Sequence, residues 1–584
     1  MTGVQTCALP IYHDPALAIV DDQGEVLFAE ATERYLQNKR ALSCAADPLF
    51  YVGELLAQFC PPPCQFEIAI NWRKKRPPYE NVVNALGLLS APGLLRQGFK
   101  RLRSPLGNYQ LHHMIACQRN HITGAGINLV RHIREHYPDS PISFADYDHH
   151  LTHAAMACYS SPFDEAACAV IDSFGENGSM AFYHYEQGRI RRLHETRGTG
   201  SIGFYYMKIT ELCGFDWIKG EEWKVMGLAP YGKLDTAFYE LLKSTIQVDG
   251  FDCKHTGRKL FSNIDKLTNF QRRKQQTPEQ AADIAYTGQY FFAELMSQLL
   301  RHLQQVTGSE NLTLAGGCAL NSAFNGQISE RTDFTKVHIP SAPADDGTAL
   351  GAAWLSYHRQ SQQSVKTSLL SPFLGARIDD ESVRKLIEYN HGLKVEHLPD
   401  SICQETARLL AQGKLVAWVQ GRAEYGPRAL GNRSILADPR AASTKDRINQ
   451  EIKFREQFRP FAPSVLHEFG DAYFENYQVS PYMDKTLRIR ENMRDNIAAV
   501  CHVDGTGRLQ TVKQEWNPRF HQLLQSFYQL TEVPVLLNTS FNIMGKPLVH
   551  SLEDCLGVFL MTGLDALVVN DYLITSCLNN KRRE

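Results

Sequence analysis

From Ala16 to Ala29 the apolar positions fall into two short runs on either side of Asp21-Asp22-Gln23-Gly24, which predicts a β-hairpin directly after His13-Asp14. A second segment has the same design. An apolar run from Cys168 reaches Asp172, then Gly175 and Gly178. A hairpin follows, Met180 to Tyr185 and Arg189 to His194, turning at Glu186-Gln187-Gly188. An acid at a strand end followed by a glycine-bearing hairpin, seen twice, suggests duplicated α/β halves facing one cleft. Spacing alone equally allows two unrelated hairpins. Further on, Leu312 to Ala315 predicts a strand entering Gly316-Gly317-Cys318-Ala319-Leu320-Asn321 and a helix. Val337 to Ile339 predicts another, running into Pro343-Ala344-Asp345-Asp346-Gly347 and a small-residue helix. Glycines at strand-to-helix turns let a ligand approach the backbone, and a helix N-terminus attracts anions. The polar stretch Arg359 to Ser371 predicts a linker. Beyond it the strand-forming runs Leu415 to Val419 and Val533 to Leu537 place a second α/β domain from about residue 370 onward.

Bulk composition narrows the class. At 584 residues the chain exceeds the size of one core. Hydrophobic residues at 43% and charged residues at 21% are those of an ordinary globular protein. A net charge of -2 argues against a nucleic-acid-coating surface. No apolar run reaches the roughly 18 residues of a membrane span, and no signal peptide is evident. The 14 cysteines form no disulfide-like framework, and Cys60-Pro-Pro-Pro-Cys64 lacks the second pair of a zinc site. Reduced thiols in a cytoplasmic protein are expected.

Between Gly421 and Pro463 the chain concentrates Arg422, Arg428, Arg433, Arg440, Arg447, Arg455 and Arg459 with Lys445 and Lys453, among Gly426, Pro427, Gly431, Pro439 and Pro460. A solvated basic helix face would show helical spacing, and these glycines and prolines forbid it. Guanidinium forks suit phosphate oxygens, so the block predicts an anion pocket. His502-Val-Asp-Gly-Thr-Gly-Arg508 adds an arginine behind two glycines, and Asn538-Thr-Ser540-Phe-Asn542 adds small polar groups after a strand.

His149 and His153, four apart before a helix-like alanine run, share a helix face and can present two nitrogens to one metal. His150 points roughly 100° away. Asp172 and either Asp345 or Asp346 are available carboxylates, and such a mixed set suits iron, manganese or zinc better than magnesium. Gly227 to Lys233 imitates a P-loop but has Leu234 at the Ser/Thr position and Pro230 inside. That reading is rejected, and Lys224 to Gly232 is expected to be a cleft-wall loop. No nucleophile elbow or cysteine motif is present. Arg73-Lys74-Lys75-Arg76 reads as a solvated loop.

HHLTHAAMACYSSPFDEA, KVMGLAPYG, GGCALN, ADDGTALGAA, EYGPRALGNRSILADPR, FREQFRPFAPS, HVDGTGRLQTV and VLLNTSFNIMGKPLV, in this order, resemble the O-carbamoyltransferase family of nodulation and antibiotic-tailoring carbamoyltransferases. The resemblance implies an N-terminal actin-like ATPase-fold domain over residues 1–365, internally duplicated. It implies a C-terminal α/β domain over 366–584, similar to the threonylcarbamoyl-adenylate synthase fold. The implied substrates are ATP, carbamoyl phosphate and a small hydroxyl-bearing acceptor, with a divalent metal, iron before manganese or zinc, and a homodimer is compatible. By resemblance Lys453, Arg459 and Arg508 contact carbamoyl phosphate or the adenylate, supported by Arg428, Arg455, Asn538 and Ser540. Gly316, Gly317 and Asn321 join the nucleotide side. His149, His153, Asp172 and Asp345 match the metal site, and His13 and Lys39 fall near the transfer site with Asp172.

Three departures stand out. Residues 1–11, MTGVQTCALPI, lack the family's glycine-bearing first strand, and Pro10 is ill-suited to a central strand. A non-native N-terminus and a compromised first strand are therefore expected. Arg40 stands where the family has a histidine, with altered acceptor binding expected, and Trp72 to His113 is an insertion. Two other readings stay open: a tRNA-modifying threonylcarbamoyl-type transferase and a non-catalytic ATP-binding actin-fold module. The first would want a larger basic surface, and the second would leave the arginine block without a purpose.

Overall fold

The computed structural model describes residues 2–8, 14–73, 124–176, 178–197, 200–255, 260–362, 368–389 and 392–576. His13, residues 9–11 and most of the insertion after Arg73 lie outside them. The chain forms two compact units. The first comprises residues 1–32, 40–321 and 327–370, and the second comprises 33–39, 322–326 and 371–584.

The first unit contains two five-stranded sheets. One is built from β1 (Thr2–Ala8), β2 (Ala16–Val20), β3 (Val26–Ala31), β4 (Cys64–Ile70) and β5 (Ile142–Asp146), in the order β3-β2-β1-β4-β5. β2 runs antiparallel to both β1 and β3, and β4 and β5 continue parallel to β1. The backbone of Thr2–Ala8 therefore forms the central strand, where a compromised one was expected. The second sheet uses β6 (Glu165–Ile171), β7 (Met180–Glu186), β8 (Arg189–Glu195), β11 (Asn311–Ala315) and β12 (Lys336–His338). Its order, β12-β11-β6-β7-β8, repeats that of the first sheet, with the same senses. Between these strands β9 (Ile246–Asp249) and β10 (Asp252–His255) make a separate hairpin. Residues Ala166 to Ile171 of β6 are all buried, as a strand covered on both faces requires.

Two segments differ from expectation. Lys224 to Gly232 is the helix Glu222–Leu228 and the turn Ala229–Tyr231, because Val225 and Leu228 share a buried face and Pro230 sits in the first turn. The helix Thr348–Ser361 runs into the stretch read as a linker, since buried Trp354 and Tyr357 keep its apolar stripe going.

In the second unit, β13 (Phe373–Arg377) pairs with β16 (Arg422–Glu424). A nine-stranded mixed sheet contains β14 (Leu393–His397), β15 (Val416–Val419), β17 (Arg433–Ala437), β18 (Ala462–Leu466), β19 (Lys485–Arg488), β20 (Thr506–Val512), β21 (Val535–Ser540), β22 (Ala566–Val569) and β23 (Tyr572–Ser576). Its core gathers Trp418, Ile435, Leu536, Val568, Phe520 and Phe527, so the strand-forming runs at 415 and 533 end up side by side with β17 between them. Among the described residues, no helix is long and apolar enough to cross a membrane, and eleven cysteines between Cys44 and Cys555 are free thiols.

Candidate functional site

In the first unit the helix His149–Tyr159 starts at Asp148, whose carboxylate accepts from the Leu151 N–H and caps it. His149 and His153 face the same way one turn apart. Asp172 follows the last residue of β6, and Asp345 opens the turn before the helix Thr348–Ser361. The two helices can close on each other because Gly351 has no side chain: a Cβ there would lie 1.9 Å from the Thr152 carbonyl oxygen. That approach brings Asp345 Oδ1 to 3.3 Å from His153 Nε2 and 3.5 Å from His149 Nε2. Asp172 Oδ2 stands 3.7 Å from His149 Nε2, and its Oδ1 accepts from the Gly317 N–H. One ligand atom from each of the four residues lies within 4.8 Å of the others. Asp346, the other open alternative, turns its carboxylate onto the Gly347 N–H instead.

Donor separations of this size match those around one ion with metal–ligand bonds of about 2.1 Å. Two imidazoles and two carboxylates form a set that iron, manganese and zinc accept. Electrostatics agree. Burial pushes the His149 imidazole down, but hydrogen bonds to Asp172 and Asp345 outweigh it and hold the ring up to about 10. The carboxylates thus retain a positive charge between them, and a metal would displace that proton. His149 Nδ1 has no hydrogen-bond partner, so packing against Trp72, at 4.9 Å between ring centroids, orients the ring. His150 faces elsewhere, and burial with the nearby His149 charge pushes it down to about 3.

Other residues expected around this cleft have structural partners. Asn321 exchanges two side-chain hydrogen bonds with Gln289, and the Gly316 N–H donates to the Pro343 carbonyl. Arg40, at φ 64°, pairs with Asp14 and donates to the Trp217 and Ile218 carbonyls. Arg73 joins Asp148 and Glu176 in ion pairs, so this residue is not part of a merely solvated loop.

The second unit divides the arginine block into two groups. Arg433 is completely buried and donates to the backbone carbonyls of Gln420, Gly421, Asn432 and Ala376. Arg422 donates to those of Leu374 and Gly375. Arg440 pairs with Asp438, and Arg447 with Glu451 and Asp565. These four hold the fold and do not form the continuous anion pocket expected from the sequence. Arg433→Met strands its carbonyl acceptors and is expected to cost about 3 kcal/mol in a urea melt.

Lys453, Arg455, Arg459, Arg428 and Arg508 form the other group. Lys453 is 3% exposed, and its ammonium donates to the Ser540 carbonyl and to the carbonyl and Oδ1 of Asn542. Those neutral acceptors orient it without cancelling its charge. Arg459 has Glu456 Oε2 at 2.8 Å, and Arg455 donates to Asn449 and lies over the Phe461 ring. Burial and then the neighbouring cations Arg455, Arg459 and Lys39 push Lys453 well below the usual lysine range. Burial and the charges of Arg428 and Arg455 likewise depress Arg508. Lys39, expected near the transfer site, thus acts on Lys453 within the second unit.

One residue shaping this cluster escaped sequence reasoning. Glu424, 1% exposed, accepts from the Leu430, Asn432 and Arg433 N–H groups and folds the loop that carries Arg428. Gly431 (φ 103°) completes that loop, and a Cβ there would strike the Phe520 ring at 2.5 Å. Asn538 is spent in a buried amide network, donating to Ser464 and Gln510, while Gln510 donates to the Leu430 carbonyl.

A cluster of cations, Lys453 and Arg459 buried and Arg428, Arg455 and Arg508 half-buried, with few counter-charges, calls for an anion. Lys453 loses protons on folding, so the ligand-free protein gains stability as pH rises toward the ordinary lysine value. Anion binding restores the proton. Inorganic pyrophosphate at 100 times its Kd should therefore stabilise the protein by about 2.7 kcal/mol in thermal melts. With the concentration then held at 100 times the pH 7 Kd, that gain should shrink as pH rises toward the ordinary lysine value.

Comparisons with known proteins agree over both units. Residues 127–354 match the carbamoyltransferase N-terminus and residues 407–576 the carbamoyltransferase C-terminus. Nodulation protein NolNO of Sinorhizobium fredii is 37% identical over 449 residues, 74% of this chain and 64% of that protein, so the match spans less than two thirds of its length. Nodulation protein NolO of Bradyrhizobium diazoefficiens is 36% identical over 73% of this chain and 78% of its own. The 3'-hydroxymethylcephem-O-carbamoyltransferase of Amycolatopsis lactamdurans is 36% identical over 46% of this chain and 49% of its own. This chain belongs to the carbamoyltransferase family.

Proposed function

We propose that this protein is an ATP-dependent O-carbamoyltransferase that acts in two steps. In the first, water cleaves carbamoyl phosphate to carbamate and phosphate, and the carbamate oxygen attacks the α-phosphorus of ATP, forming carbamoyl-adenylate as the bond to pyrophosphate breaks. In the second, an acceptor hydroxyl attacks the carbamoyl carbon, the bond to the adenylate oxygen breaks, and AMP leaves. The first step is assigned to residues 366–584 and the second to residues 1–365, read as a duplicated actin-like domain. The matching strand order of the two five-stranded sheets supports that reading. The observation that carries the function is the group Lys453, Arg455, Arg459, Arg428 and Arg508, in which burial and neighbouring cations depress Lys453, Arg455 and Arg508, and burial depresses Arg428.

Their chemistry follows from charge. Adenylate formation moves negative charge onto the departing pyrophosphate oxygens, and fixed cations in a water-poor site stabilise that charge more than in water. Arg428 and Arg508 supply forks for paired phosphoryl oxygens. Lys453, steered by Ser540 and Asn542, supplies a point charge. In the first unit His149, His153, Asp172 and Asp345 would hold a divalent metal, which when bound supplies a Lewis acid for a phosphoryl oxygen. The Gly317 N–H holds Asp172 in place. His13 is proposed as acceptor of the hydroxyl proton. Sugar-containing compounds and other hydroxyl-bearing natural products fit the acceptor role.

The test is an incubation of the purified protein with ATP, carbamoyl phosphate and candidate hydroxyl compounds. Carbamoyl-phosphate-dependent release of pyrophosphate and AMP is expected. Its complete absence would sink the reading.

A further inference from the structure

The second unit includes a short segment from far upstream, Glu33–Lys39. Its contacts are specific. The Gln37 side chain donates to the Leu548 carbonyl, and Lys546 donates to the Gln37 carbonyl. Tyr35 meets the His550 ring edge-on at 5.7 Å. Arg34, in the helix Thr32–Leu36, is 2% exposed and sends Nη2 to the Gly426 carbonyl at 2.5 Å. Gly426 is two residues before Arg428, in the loop that Glu424 folds.

One hydrogen bond to a neutral carbonyl is poor compensation for a buried guanidinium. Arg34 Nε and Nη1 are buried without a hydrogen-bond partner. Glu33 Oε1 lies 3.7 Å from Nε, beyond hydrogen-bond range. Buried guanidinium N–H groups normally find acceptors, and charged acceptors bind them best. At the other end of the segment, Lys39 adds its charge to the surroundings of Lys453. The segment is therefore bonded at one end to the loop that carries Arg428, and at the other its Lys39 acts electrostatically on Lys453.

We propose that Arg34 is an anion-binding residue of this site, with Nε–H and Nη1–H donating to a phosphoryl oxygen of the bound substrate. The identity of that substrate rests on the carbamoyl-adenylate reading above, whereas the anion preference does not. Anchoring alone and anion binding make different demands on the side chain. Arg34→Lys keeps a donor for the Gly426 carbonyl but loses the fork. Arg34→Gln loses the charge as well.

The full-length chain and both variants are titrated with inorganic pyrophosphate by calorimetry, with thermal melts run alongside. Both variants are expected to bind about tenfold to a hundredfold more weakly, the effect of losing charge-assisted hydrogen bonds. If Arg34→Lys binds as tightly as the parent chain, Arg34 only anchors Gly426 and the proposal fails. Should either variant unfold, hydrogen exchange of the peptide spanning residues 33–39 in the parent chain decides. Slower exchange with pyrophosphate supports the proposal, and unchanged exchange overturns it. The two readings fail separately. Parent protein that binds pyrophosphate through Arg34 but never releases it from ATP and carbamoyl phosphate sinks the function alone. A catalytically active parent whose variants bind normally sinks Arg34 alone.

Discussion

Arg508→Ala is expected to lower carbamoyl-phosphate-dependent pyrophosphate release by about 10²- to 10³-fold, the effect of removing one preorganised donor from a developing oxyanion. Arg508 is at the centre of the repulsion, depressed by burial and by both Arg428 and Arg455. Its removal takes away attraction for phosphoryl oxygens and relieves strain on its neighbours. The melting temperature of the ligand-free variant should accordingly hold or rise, which separates a lost catalytic group from a lost fold. Metal content, measured on the same preparation, should match the parent, because the histidine–carboxylate quartet belongs to the other unit. Loss of metal together with activity would show that the variant is globally damaged.

The second large effect is the converse. His153→Ala leaves Asp345 without its 3.3 Å imidazole partner and opens the quartet. Pyrophosphate release should stay within about threefold of the parent, while carbamoylated product falls by about 10²-fold or more, as when a Lewis-acid site is lost. Chromatography of the nucleotides should then show carbamoyl-adenylate, or the AMP from its hydrolysis, without product. If both variants fail at pyrophosphate release, the assignment of one step to each unit is wrong.

Legibility in the sequence depended on how local the determining physics was. The two hairpins and the strands at 415 and 533 were readable because each is an apolar run with a turn beside it. The pair His149 and His153 was readable from one turn of helix. The choice of Asp345 over Asp346 was not, because it depends on the Gly351–Thr152 approach between two helices distant in the chain. The arginine block failed differently. Asp438 two residues before Arg440, and Glu451 four residues after Arg447, were visible as local partners that mark those arginines as structural. Arg433 gave no such warning, since it bonds to backbone carbonyls that any sequence would supply. Glu424 was overlooked for the same reason: three N–H groups in a loop carry no side-chain signature.

The segment Glu33–Lys39 also has a history in time. It leaves the ribosome early, yet the Gly426 loop and the Leu548 carbonyl that receive it come from the last third of the chain. At about 5–20 residues per second, the interval is on the order of half a minute. Through that time Arg34 has no burial site, although β2 and β4 can already add to the two sides of β1. Completion of the second unit is thus a post-synthetic event that closes a very long loop. A fragment beginning at residue 371 would present the loop that carries Arg428 with its upstream brace missing.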